Sequence, residues 1–327
     1  MDYYLYKLRF DGAVHFGLSD SALSLYTSAD HFCADTLFSA LCHTALALWG
    51  QEGIKALVSQ VQAGELLLSD SMPWCSCSQE DVYYLPKPCA ISLNKKAVPS
   101  SLRKAVKKLA WIPVEHMDVF GDSLNGVGTY EPPVHTAFGV ARERTLAAVP
   151  YEQDARPYQV GAFHFFKGCG LYFIAACGTK TQAERYEKLV EALGMGGIGG
   201  KVSAGFGTFC IENIIYLNES SDAQLRWLYD GLTAKHPQHY LLLTTSLPGD
   251  DELDSVLADA QYQLVRRGGF VQSDTFGDTP LKKQTQYYLA AGAILDEPFQ
   301  GALYDVAAYG RHPVYRYAKP ILLGVSF

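Results

Sequence analysis

Between Gly194 and Gly207 the chain reads GMGGIGGKVSAGFG, and seven of these fourteen positions are glycine, against 29 in all 327 residues. Glycine loses more backbone freedom on folding than any other residue. Such density is a standing cost unless the main chain must adopt φ > 0 or let another molecule come close. Backbone N–H groups bared in this way converge on an anion, and Lys201 and Ser203 add a charge and a hydroxyl at the same place. With Gly196, Gly197, Gly199, Gly200, Gly205, Phe206 and Gly207 they form a candidate phosphate-binding loop. Gly194, Gly196 and Gly199 match G-x-G-x-x-G as a string, but that motif needs a strand before it and a helix after it, and here the predicted order is reversed. A Walker A loop fails because Met195 replaces its first glycine and Val202 its Ser/Thr. Ile198, Val202 and Phe206 supply apolar anchors that a flexible linker would lack.

His15 is the other residue with a chemical reading. Near the end of the first predicted strand, its imidazole could take a proton from a ribose 2′-hydroxyl as general base, assisted by His31 or a lysine. The competing reading is a partly buried or RNA-packing histidine, a contact residue rather than a base, since nothing in sequence pairs it with an orienting carboxylate. The eight cysteines include no C-x-x-C pair, no three or four ligands fall at zinc spacing, and no G-x-S-x-G elbow is present. No metal and no other cofactor is expected. Asp250, Asp251, Glu252 and Asp254 crowd one segment and suit the N-terminal dipole of a helix.

The net charge of −7 argues against indiscriminate coating of nucleic acid. The distribution is more specific. From Val82 to Val114 there is no acidic residue, while Lys87, Lys95, Lys96, Arg103, Lys104, Lys107 and Lys108 supply seven positive charges. A basic face on an acidic protein implies a bounded polyanion site and other surfaces reserved for protein partners. The N-terminus lacks a signal-peptide pattern and no apolar run reaches about 18 residues, so a cytoplasmic protein with no membrane span is expected.

These residues need elements to hold them. Alternation over 4–10 puts Tyr4, Tyr6, Leu8 and Phe10 on one face and Lys7 and Arg9 on the other, which predicts a half-exposed strand. From Asp35 the period becomes helical through Leu37, Leu41, Ala45 and Leu48, with Asp35 or Thr36 as cap and Gly50 as stop. A weak strand at 65–68 follows. Prolines then interrupt about 71–158, which reads as an insertion containing Phe138, Val140, Arg142 and Arg144 on one side of an extended segment. Strands at 162–166 and 171–177 read as a hairpin about Lys167 to Gly170. Next come a helix capped by Thr181 and Glu184, the glycine loop, and a strand at 208–217. This β-α-β-insertion-β-α-loop-β order predicts an α+β protein. The first domain, 1–236, is ferredoxin-like (RRM-like), with its insertion at about 71–158 and its glycine-rich loop at 194–207. The second, 237–327, is a degenerate ferredoxin-like unit with strands at 240–244, 262–267, 286–295, 314–317 and 321–325.

The glycine loop after the second helix of such a domain resembles the signature loop of the RAMP superfamily of CRISPR-associated proteins. Ala34 to Leu41 (ADTLFSAL) and Arg311 to Tyr317 (RHPVYRY) resemble segments of the fourth subunit of the type III-A Csm effector complex. The resemblance implies a non-catalytic scaffold subunit of antiviral defence. It would grip the 5′ handle of the CRISPR RNA, join the large polymerase-type subunit to the backbone subunit, and meet target RNA only indirectly. On that pattern Gly196 to Gly207 would approach the handle, with Lys201 and Ser203 on phosphates. Arg142 and Arg144, beside Phe138, would belong to a protruding thumb. Lys282, Lys283, Arg311, His312 and Arg316 would be further RNA contacts, although Gln284 and Gln286 stand where a more basic strand is usual. The same loop also occurs in metal-independent endoribonucleases that mature CRISPR RNA, for which His15 would be the base; a plain protein-interaction module is the third reading. If the loop binds RNA, a Gly199→Val, Gly200→Val double substitution is expected to weaken binding without unfolding the protein.

Overall fold

The structure, a computed structural model, describes residues 1–326 other than 18–21, 78–79, 90–99, 134–136, 149–153, 274, 278 and 280. Lys95 and Lys96 of the basic segment lie outside the described residues, as does the side chain of Arg103.

In chain order the elements are β1 (Asp2–Arg9), α1 (Ala34–Gln62), β2 (Leu66–Leu68), β3 (Met72–Cys77), β4 (Glu80–Pro86), α2 (Ser100–Lys108), β5 (Trp111–Pro113) and α3 (Met117–Leu124). Then come β6 (Gly139–Ala148), β7 (Arg156–Phe165), β8 (Cys169–Cys177), α4 (Lys180–Gly196), β9 (Cys210–Tyr216) and α5 (Ala223–Leu232). The last part holds β10 (His239–Leu242), α6 (Leu253–Leu257), β11 (Leu264–Arg267), β12 (Gln286–Leu289), β13 (Ile294–Leu295), β14 (Leu303–Asp305), β15 (Tyr315–Tyr317) and β16 (Leu322–Val325). The protein is mixed α+β with antiparallel sheets.

The main sheet runs β5-β4-β3-β8-β1-β9, with β2 also on β8. β2 and β3 lie end to end along β8: Leu66 to Leu68 pair with Cys177 to Ala175, and Met72 to Cys75 pair with Tyr172 to Cys169. Between them Ser69, Asp70 and Ser71 are buried; Ser69 N–H still bonds the Ile174 carbonyl of β8 at 2.9 Å, while the N–H groups of Asp70 and Ser71 turn to the Leu243 and Phe32 carbonyls. The segment from 71 therefore begins by widening the sheet through β3, β4 and β5, and among its described strands only β6 and β7 leave it, as a two-stranded ribbon. The expected hairpin at Lys167 to Gly170 is a turn without a hairpin. Cys169 N–H bonds the Phe166 carbonyl at 2.9 Å, but β7 pairs with β6 while β8 pairs within the main sheet.

Both faces of this sheet are covered, so β1 is not half-exposed. Tyr6, Leu8, Leu68, Phe173 and Ala175 pack under α1 and α4; Leu5, Met72, Trp74, Tyr172 and Ile174 pack on the other side with Leu225 and Leu228 of α5 and with Leu241, Leu323 and Val325. The last strands thus share a core with the first half. Lys7 is buried on the second face, where its Nζ is 3.7 Å from the Trp74 ring centroid and 2.5 Å from Asp81. A charge swallowed in this way looks, in sequence, like a solvent-facing position.

Other local signals are satisfied differently from expectation. The α4 capping box uses Thr179 and Gln182, two residues before the predicted pair. Gly50, at φ 67°, breaks α1 rather than ending it. The α1 N-terminus has no cap from Cys33, Asp35 or Thr36. Instead, Ala34 N–H donates to Asp70 Oδ1 at 2.7 Å, from 36 residues away. The strand expected over 286–295 is split into β12 and β13 by a turn in which Gly292 has φ 96°.

Candidate nucleic-acid interface

The glycine loop leaves α4 and closes onto the segment after β1. Gly200 N–H donates to the His15 carbonyl at 2.8 Å, Gly207 N–H to Ala13 at 2.9 Å and Ile198 N–H to Gly207 at 2.9 Å. Gly199 has φ 99°, and a Cβ there would stand 2.7 Å from the His15 carbonyl oxygen. Gly207 has φ 75°, and its Cβ would collide with the Ile198 carbonyl. These two glycines are thus required by the loop's own folding, and the amides of 198, 200 and 207 are already engaged. This corrects the picture of a loop whose bared N–H groups all await an anion. Gly196 differs, being exposed with open space where a Cβ would stand. At the tip, Val202, Ser203, Ala204 and Gly205 are exposed.

Lys201 has φ 62°, the one positive φ outside glycine among the described residues. Its Nζ bonds Tyr158 Oη at 3.3 Å and lies 4.7 Å from the Tyr158 ring centroid. Tyr158 belongs to β7, so the lysine ties loop to ribbon. Phe206 is fully buried against Ala13, Val160 and Ala162, and Phe138 is buried against Cys75 and Tyr84. Neither offers a face for stacking a base, which corrects the place given to both as direct contacts.

The ribbon register puts Arg142 opposite Ala162 and Arg144 opposite Val160. Both arginines are exposed and share the face that covers the loop, with the Arg144 guanidinium 5.4 Å from the Phe206 ring centroid. His15 is 7% exposed, and its Nδ1 is 2.7 Å from the Gly161 carbonyl oxygen. Among the described residues its ring is held by this backbone carbonyl and bonded to no carboxylate, the arrangement of a packing histidine.

Beside the loop lies a cleft of about 1070 Å³. One wall is Gly196, Gly197, Gly199 and Gly200 with the exposed side of α1, including Thr36, Ser39 and His43; the other is Arg266, Gly268, Phe270 and Lys283. Burial and the nearby Lys283 charge hold the His43 imidazole below its ordinary pKa. Lys282, exposed, lies with its ammonium 5.7 Å from the Phe270 ring centroid at the rim. Arg311 and His312 are exposed further along, where His312 Nε2 is 2.9 Å from Ser273 Oγ.

Arg316 is not presented to a ligand. It is 4% exposed and donates to the carbonyls of Arg267, Gly268 and Gln284 at 2.8–3.1 Å, so its expected role as an RNA contact gives way to a latch. At the floor of the cleft, Arg267 donates from Nε to Asp35 Oδ2 at 2.9 Å and from an Nη to Oδ1 at 2.6 Å. Burial pushes the Asp35 carboxyl up, but the Arg267 charge and hydrogen bonds, with the Arg316 and Lys283 charges, together outweigh it and hold the group below the usual range. Thr245 Oγ1 donates to Asp70 Oδ2 at 2.6 Å, Thr244 Oγ1 to the Leu68 carbonyl at 2.9 Å, and Leu68 N–H to Tyr317 Oη at 2.8 Å. The two motifs 34–41 and 311–317 therefore meet here, with Phe38 and Tyr317 rings 5.7 Å apart. Sequence reasoning did not pair Asp35 with Arg267 or Asp70 with Thr245. A lone acidic residue inside an apolar helix start was the available signal.

The fold is that of a mixed α+β protein with antiparallel sheets. A model of the Csm4 C-terminal domain matches residues 235–325. The Csm4 protein of Mycobacterium tuberculosis strain H37Rv is 36% identical over 325 residues, covering 98% of this chain and 97% of the relative. That of Streptococcus thermophilus is 30% identical over 332 residues, covering 98% of each. The chain belongs to the Csm4 family. Among solved structures, it is similar in fold to a chain of the Csm3–Csm4 subcomplex of the type III-A interference complex, with TM-score 0.66, 16% identity and 100% of both chains covered. A chain of the Csm1–Csm4 cassette with pppApA gives TM-score 0.63 at 17% identity, over 100% of this chain and 98% of that one. No helix among the described residues is long and apolar enough to cross a membrane.

Proposed function

We propose that this chain is a non-catalytic RNA-binding scaffold subunit of a type III-A interference complex. Its cleft grips the 5′ handle of the CRISPR RNA, and its outer surfaces join the large polymerase-type subunit to the backbone subunit. The observation that carries this reading is the cleft itself. At about 1070 Å³ it exceeds the usual small-molecule pocket of roughly 300–1,000 Å³ and suits a length of single strand. Close backbone approach at Gly196, Lys283 and Arg266 across the gap, and the Arg142–Arg144 face above the loop supply phosphate-facing groups without a base-reading set. Family membership and the shared fold of Csm1–Csm4 and Csm3–Csm4 assemblies support the two protein partners.

The order β9-β1-β8-β2, with α1 and α4 on one face, supports a ferredoxin-like reading of 1–236, and we read 237–327 as its degenerate counterpart. The buried, carbonyl-bound His15 favours a binder over the endoribonuclease. The test is incubation of the purified chain with handle-bearing RNA in EDTA. Expected is a salt-sensitive complex with intact RNA, weakened by Lys283→Glu and by Gly196→Asp. Metal-independent cleavage that disappears in His15→Ala would overturn the reading, as would no salt-sensitive binding of handle-bearing RNA.

A further inference from the structure

A second cavity, of about 290 Å³, shares Ala110 and Trp111 with the cleft. Its volume is at the bottom of the roughly 300–1,000 Å³ range of ligand pockets, room for one planar group. Its walls include Tyr84, Trp111, Pro132 and Pro133, flat or rigid apolar surfaces; its polar groups include Asp30 and the exposed Lys108. Asp30 is held in place from two sides: Trp111 Nε1 donates to Oδ2 at 3.3 Å, and His31 Nδ1 is 2.8 Å from Oδ1. A carboxylate has about four acceptor positions, so capacity for further donors remains. Burial pushes its pKa up, but the bonds from His31 and Trp111 prevail and keep it ionised at neutral pH. Over the cavity stands α2, whose Lys104, Lys107 and Lys108 are exposed in a stretch without any acidic residue. Lys87 is already committed, donating to the Val106 and Lys107 carbonyls at 3.2 Å.

We infer that this cavity is a nucleobase subsite: one unstacked base of a strand leaving the glycine-loop cleft inserts beside Trp111 and donates its exocyclic amine to Asp30, while Lys108 meets its phosphate. The inference rests on the RNA-binding reading above and adds a second, separate contact to it. Acceptance by a carboxylate favours bases that carry an amino group, so adenine, cytosine or guanine is taken in preference to uracil. A partner protein's apolar side chain would fit the walls, but it would leave unexplained a carboxylate and a lysine in the lining.

The experiment uses the full chain and a handle-bearing RNA in which each nucleotide in turn is made abasic. Stacking on an aromatic makes loss of a base cost between about fivefold and a hundredfold in affinity. One abasic position should therefore weaken the wild type by that factor and have no further effect in Trp111→Ala. Uridine at that position should bind more weakly than cytidine, and Asp30→Asn should remove the difference. Lys108→Glu, a surface change, gives the same answer should Trp111→Ala not fold. Identical abasic profiles in wild type, Asp30→Asn and Lys108→Glu, with Lys283→Glu still impairing binding, would overturn the subsite alone. So would variants that bind RNA normally but fail to assemble with partner proteins. No RNA binding by the wild type would overturn both readings.

Discussion

Asp35 and Arg267 are 232 residues apart in sequence, and their side chains are 9% and 17% exposed. Cutting this pair from either side should have unequal effects. Removing one member of a buried ion pair typically costs about 3–5 kcal/mol, because the other charge is left buried without compensation. Arg267→Met leaves Asp35 with a substitute cation, since Arg316 Nε stands 4.0 Å from Oδ2, so its cost should fall near the lower bound, about 3 kcal/mol. Asp35→Leu instead leaves two neighbouring guanidiniums with no anion between them and should cost about 5 kcal/mol. The double variant replaces the pair by apolar groups and should cost less than Asp35→Leu alone, a coupling of several kcal/mol. Urea unfolding of the four proteins at neutral pH measures the cycle. The sign of the pH effect follows from the depressed Asp35 pKa. The pair's contribution is complete above the ordinary carboxyl value of 3.8 and is lost as pH falls through the lower folded value, where wild type and Asp35→Leu converge. Additive single costs, or Arg267→Met proving worse than Asp35→Leu, would refute the reasoning.

Four further outcomes are expected. Arg142→Ala with Arg144→Ala should flatten the slope of log affinity for RNA against log salt by about 1.4, at roughly 0.7 per phosphate contact, equally for unrelated guides; an unchanged slope in filter binding would show that the ribbon faces protein or solvent. Gly196→Ala should leave thermal stability nearly unchanged, whereas Gly199→Ala should lower it, because a Cβ at 199 meets the His15 carbonyl at a φ of 99°. Thr179→Ala should cost about 1 kcal/mol in urea unfolding and Thr181→Ala should cost little, since the cap of α4 is at 179. His43 is held neutral by burial and by Lys283, so the wild type should lose stability relative to His43→Gln as pH falls from its ordinary 6.5 toward the lower folded value.

Apolar patterns made β1, β2, β8, β9 and the two helices over them legible: Leu37, Leu41 and Ala45 lie on the buried side of α1, and Ala183, Tyr186, Leu189, Val190 and Leu193 on that of α4, whereas β3, β4 and β5 went unread in the proline-interrupted stretch. The glycine loop was legible as a place, and half of its reason was missed. Gly199 and Gly207 accommodate the protein's own carbonyls, and glycine content does not tell a near segment of chain from a ligand. Phe138 and Phe206 were read as contacts because they sit beside arginines and glycines. What buries them, Tyr84 for one and Val160 with Ala162 for the other, is distant in sequence. Asp70 as the cap of α1 and Arg316 as a carbonyl latch share that difficulty: each is satisfied by long-range partners that no local pattern announces. The Gly199→Val, Gly200→Val substitution expected from sequence to spare folding would instead strain the loop at 199, which makes Gly196 the cleaner probe.

The closure of Arg267 on Asp35 also sets a timetable. A ribosome adding about 5–20 residues per second delivers Arg267 on the order of ten to fifty seconds after Asp35 has emerged. Throughout that interval the start of α1 has neither its counter-charge nor the Thr245 hydroxyl that steadies its Asp70 cap, and Phe38 lacks the Tyr317 ring that will cover it. The nascent chain thus carries an apolar, anionic groove with only one wall. The second wall, with Arg266 and Lys283, joins it only when synthesis is nearly finished.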